Sequence, residues 1–118
     1  MQIVLVVANA AIALLSGVSA LVGLLRPSVA LAEGEQLGAA GGFFLGGYAA
    51  RAVPLSLVTL VVLVAGPAAA QWPVLAVSGL AQAGDAVLGA RRGNRPMAAT
   101  CTALALIHLV SAAWLLAR

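Results

Sequence analysis

The sequence predicts an all-α fold: an integral membrane, antiparallel four-helix bundle. Three observations predict it. Of the 118 residues, 64% are hydrophobic and 8% charged, with a mean hydropathy of +1.13; a soluble domain needs far more charge to cover its surface. The apolar residues fall into four runs, each able to supply a crossing of about 20 residues. Most of the charges sit at the ends of those runs or in short turns between them.

The first run spans residues 2–25 and stops at Arg26-Pro27, because proline disfavours helix in the residue before it. It lacks a basic n-region and is longer than a signal-peptide core, so it reads as a retained helix. Asn9, Ala13, Ser16, Ala20 and Gly23 recur at helical spacing and form one stripe of small, weakly polar residues, suited to close packing in lipid. Residues 26–36, with Glu33 and Glu35, read as a solvated loop. The second run, 37–66, is longer than the hydrocarbon core requires and must tilt, kink at Pro54 or begin outside the core. Its Gly38-Gly42-Gly46 ladder, continued by Ala50, predicts close helix packing.

A short turn, 67–71, precedes the third run, 72–90, which carries Pro73 in its first turn. Ser78, Gln82, Asp85 and Gly89 share one face there. Polar residues in register on a membrane helix face inward. The basic turn 91–96 follows, with Asn94 as N-cap and Pro96 in the first turn of the last run, 97–116. Thr100, His108 and Ser111 share an arc there, bordered by Cys101.

The net charge of +3 is all arginine, with a pI near 10.6. Its placement at helix ends favours a membrane over nucleic acid. Arg26, Arg91, Arg92 and Arg95 fall in the two loops that four crossings put on one side. The positive-inside rule makes that side, with the 91–96 turn, cytoplasmic and places both termini outside, in the cell (plasma) membrane. Trp72 and Trp114 then sit at the outer interface. A lone cysteine, Cys101, excludes an internal disulfide, and a metal site lacks ligands.

Arg51 near the middle of the second run needs a partner, since arginine within a span costs about 2.5–3.5 kcal/mol on insertion scales. Asp85 lies at a matching depth and is the expected partner, with Gln82 or Tyr48 taking the remaining hydrogen bonds; Arg91 and Arg92 compete for it by snorkelling. His108, near mid-span, is expected to donate to a carbonyl or serine hydroxyl of a neighbouring helix. A chemical reading gives His108 an acid–base role, oriented or charged by Asp85, with Arg51 and Tyr48 holding an oxyanion. Ser56, Ser78, Gln82 and Ser111 would line the pocket for a small lipophilic molecule, among the second, third and fourth runs. No motif implies a cofactor, and haem ligation would rest on His108 with help from a second subunit.

The four-run layout invites comparison with small multidrug-resistance transporters, but those carry an essential glutamate in the first helix, where this chain has only Asn9. The chain more closely resembles the DoxX-like group of small four-helix membrane proteins. The shared features are Arg51-x-x-Pro54 in the second helix, Asp85 late in the third, the basic glycine-containing turn Arg91 to Asn94, and His108 in the fourth. The resemblance implies a bundle with an inward polar cluster. Named members are linked to quinone-dependent oxidation, a role that no residue here carries over. Three readings follow: binding or processing of a small lipophilic molecule, an accessory subunit of a larger membrane complex or a homo-oligomer, and a small transporter.

Overall fold

The computed structural model describes residues 2–31 and 33–118. Among the described residues there are five helices: α1 (Gln2–Leu25), α2 (Pro27–Ala30), α3 (Ala39–Ala65), α4 (Ala68–Arg91) and α5 (Arg95–Leu116). All but α2 are long and apolar enough to cross a membrane.

Two expectations about element number and bounds are corrected. The loop expected at 26–36 contains a single helical turn, α2. Arg26 is non-helical at φ −133°, and Pro27 follows at the first helical position, where its fixed φ suits the turn and its missing N–H costs nothing. The helix expected to begin at 72 begins at Ala68. Pro67 stands extended before it, and the three alanines that follow are the strongest helix formers. Asn94 caps α5 as expected, its side chain accepting from the Met97 N–H at 3.1 Å, and Gly93 before it has φ +71°, which an L side chain rarely adopts.

The molecule is a rod of 46 × 22 × 18 Å, assembled as two tightly packed pairs, α1 with α3 and α4 with α5. Small residues set the approach within each pair. A Cβ on Gly17 would lie 3.0 Å from Ser56 Cβ, one on Gly79 2.6 Å from Leu109 Cγ, and one on Gly89 2.9 Å from the Ala98 backbone nitrogen. The stripe Asn9, Ala13, Ser16, Ala20 and Gly23 is buried, as its spacing predicted, and so is Ser78, Gln82, Asp85 and Gly89. The glycine ladder is not used this way. Gly38, Gly42 and Gly46 have open space where a Cβ would stand. The buried face of α3 runs instead through Leu45, Ala49, Ala52, Ser56, Thr59 and Leu63.

Between the two pairs runs a seam, and its loop end is closed by polar contacts. Arg92 pairs with Glu35, and its guanidinium lies 4.4 Å over the Phe44 ring. Asn94 Nδ2 donates to the Ala30 carbonyl at 3.4 Å. Glu35 is thus held by the opposite pair rather than solvated. Apolar clusters fill the core on either side of mid-length: Ala20, Ala49 and Ala52 in one, Leu63, Leu75 and Ala112 in the other. The outer surface is apolar too, with Ile3, Phe43, Val64 and Leu80 among its exposed side chains.

The glycines separate by position. Gly89→Ala drives a methyl into backbone and should lower unfolding stability by about 1–3 kcal/mol. Gly46→Ala meets nothing and should leave stability unchanged or raise it by up to about 1 kcal/mol. Unfolding across a graded series of denaturing detergent measures both; equal losses at the two positions would contradict this packing.

Candidate functional site

Among the described residues, the polar side-chain contacts between helices cross the seam. Nearest the loop end, Arg51 on α3 meets Asp85 on α4, Nη2 to Oδ1 at 2.5 Å. This is the expected pair. Its remaining bond differs from expectation: Arg51 Nη1 reaches the Ala81 carbonyl at 3.4 Å. Tyr48 instead presents its ring to the guanidinium, 5.6 Å from the centroid, and stacks on Phe44. Gln82 turns away to α1, where its Nε2 donates to Ser16 Oγ at 2.7 Å. Arg92, a rival for Asp85, is taken by Glu35.

Further along the seam, Thr59 on α3 and Ser78 on α4 join their hydroxyls at 2.8 Å. Thr59 also donates to the Leu55 carbonyl at 2.8 Å, so its proton is committed and the Ser78 hydroxyl is the donor between them. Then comes His108 on α5, 1% exposed, with Nδ1 2.7 Å from Asn9 Oδ1 on α1. Asn9 is fully buried and its amide is committed on both sides. Its Nδ2 donates to the Leu5 carbonyl at 2.9 Å and to Ser111 Oγ at 2.8 Å. A carbonyl only accepts, so the amide orientation is fixed and Oδ1 is the acceptor facing the imidazole. His108 therefore carries its proton on Nδ1. The histidine is oriented by an asparagine rather than by Asp85.

Two cavities adjoin these residues. An inner one, about 20 Å³, touches all four long helices and is lined by Ser16, Arg51, Ser78, Gln82, Asp85 and His108, together with Ser56 and Thr59. It brings together three of the four expected catalytic residues and three of the four expected pocket residues. Ser111 lies outside it, on Asn9, and Tyr48 lines the other cavity. At this volume it holds about one water, so no organic substrate fits among His108, Asp85 and Arg51. The second cavity is a cleft of about 640 Å³ at the loop end. Val18, Val22, Leu45, Tyr48, Met97 and Cys101 line it, with Glu33, Asn94 and Arg95 at its polar edge. It lies against α1, α2, α3 and α5, rather than among the second, third and fourth runs of the sequence.

Asn9 and Thr59 were missed as site residues. A signal for Asn9 existed in the depth argument that paired Arg51 with Asp85. Asn9 stands seven residues from Gln2 and His108 eight from Leu116 (9 − 2 and 116 − 108), so two isolated polar residues share a level. No protein-family model matches this chain, and no curated protein or solved structure matches it.

The ion pair is asymmetric: the side chain of Arg51 is 42% exposed and that of Asp85 5%. Arg51→Leu strands a buried carboxylate, whereas Asp85→Leu leaves a guanidinium able to turn outward. Arg51→Leu should therefore reduce folded yield in mild detergent more than Asp85→Leu, with the double variant recovering most of the loss. Size-exclusion yields of the three variants measure this, and a fully stable Arg51→Leu protein would remove the pair from any structural role.

Proposed function

We propose that this chain is an integral membrane protein, an antiparallel bundle of four crossings with a one-turn helix between the first two, and that it binds a small lipophilic molecule in the cleft at its loop end. The cleft carries this reading. Its volume, about 640 Å³, falls within the range of small-molecule pockets, and its apolar walls with few polar groups are what such ligands select. Membrane embedding is supported by the distribution of side chains: large apolar groups outside, with Asn9, Gln82, Asp85 and His108 within. Assignment to the DoxX-like group rests on the layout of Arg51-x-x-Pro54, Asp85, the 91–94 turn and His108.

The geometry favours binding over processing. His108, Asp85 and Arg51 line the inner cavity, and of the expected catalytic residues only Tyr48 reaches the cleft. A second reading, a homo-oligomer or an accessory subunit in a larger membrane complex, is favoured by the glycine ladder. Gly42 and Gly46 offer a close-packing surface that no helix of the chain occupies.

Native mass spectrometry of protein released from membranes separates the two. Wild type should carry the added mass of a lipophilic molecule, and Val22→Trp, which fills the cleft, should lose it. A bare wild type, or a ligand retained by Val22→Trp, overturns the binding reading. A discrete dimer or hetero-complex in the same spectra supports the second.

The orientation proposed, with both termini outside the plasma membrane and the 91–96 turn cytoplasmic, has its own test. In a Cys101→Ala background, Arg91→Cys should react with an impermeant maleimide only once the cytoplasmic side is opened. Labelling of intact cells would reverse the orientation.

A further inference from the structure

The hydrogen-bonded groups of the seam converge on the inner cavity, and two acceptors there have no donor. One is Gln82 Oε1, buried without a partner among the described residues. Its amide places Nε2 against Ser16 Oγ at 2.7 Å, which leaves Oε1 without a donor. The other is His108 Nε2. Since Asn9 Oδ1 requires the imidazole proton on Nδ1, Nε2 bears a lone pair, and among the described residues nothing donates to it. Both residues line the same cavity of about 20 Å³. Asp85 also lines it; Arg51 holds its Oδ1, and a carboxylate offers no proton to either acceptor.

We propose that this cavity is a binding site for one water molecule, which donates one proton to His108 Nε2 and the other to Gln82 Oε1. The chemistry selects water. Two lone acceptors call for a neutral molecule with two donors, and the volume admits about one. The Ser16 hydroxyl accepts from Gln82, which leaves its own proton free to donate to the water. Three polar partners are typical of a buried water. Thr59 and Ser78 do not compete, because their protons serve Leu55 and Thr59.

Bound there, the water joins what are otherwise separate groups. Gln82–Ser16 on one side and His108–Asn9–Ser111 on the other become one network spanning α4, α1 and α5. The apolar clusters around Ala49 and Leu75 lie to either side along the rod. It also fixes the role of His108. The base nitrogen of this histidine faces water, and the site is independent of any ligand in the cleft.

The chain contains a single histidine, so the imidazole signals need no assignment by mutation. In solid-state NMR of the ¹⁵N-labelled full chain in lipid bilayers, Nδ1 should appear protonated and Nε2 unprotonated. Polarisation should pass from water to Nε2, and Gln82→Met should abolish that transfer while leaving the tautomer unchanged. A protonated Nε2, or no transfer from water in the wild-type protein, overturns the proposal. Because the decisive readings are made on wild type, a variant that fails to fold does not spare it; Ser16→Ala, which removes the donor to the water, then serves in place of Gln82→Met and should weaken the same transfer.

Discussion

The seam between the α1–α3 pair and the α4–α5 pair is the constraint on which the rest of the structure depends. Within each pair, helices approach through glycine, alanine and serine, and contact is made by shape. Between the pairs the contacts are polar and specific: Arg51–Asp85, Ser16–Gln82, Thr59–Ser78, Asn9 with His108 and Ser111, Arg92–Glu35. A buried polar group left without a partner costs about 1–3 kcal/mol. Rotating or sliding one pair against the other would therefore break several bonds at once. The small-residue contacts set distance, and the polar contacts set register.

The seam also explains why the two cavities differ. At mid-length all four long helices converge, and the polar side chains fill the centre until only a water-sized space remains. Toward the loop end, α1 and α5 carry Ser19, Gly23, Thr100 and Cys101 where bulk would be needed to close the gap, and the cleft opens there. Glu35, Arg92, Asn94 and Ala30 hold that end together, so the cleft has a fixed rim. Chemistry and room are thus segregated: the histidine and the carboxylate lie where nothing large enters, and the roomy site is walled mainly by carbon.

Much of this was legible in the sequence. Stripes at helical spacing identified the buried faces of α1 and α4, because polar groups on a mostly apolar helix find their partners on its inward face. Depth matching found Arg51–Asp85 for the same reason. The glycine ladder misled because small residues say only that a surface can be approached closely, and nothing about which helix approaches it. The early start of α4 was hidden by Pro67, which reads as a turn but equally precedes a helix. The tie of Asn9 to His108 joins residues 99 apart in the chain, and the stripe that contained Asn9 was already explained by packing. The cleft was not legible at all, since it is set by what helices of different elements fail to fill.

The division into two pairs bears on how the chain reaches its final form. Each pair brings together segments close in sequence, α1 with α3 and α4 with α5, and such local contacts form early. The first pair, emerging from the ribosome alone, holds Asn9, Ser16, Arg51 and Thr59 on the face that only the second pair can satisfy. Until α4 and α5 arrive, that half-made protein is marked by its own unanswered polar side chains.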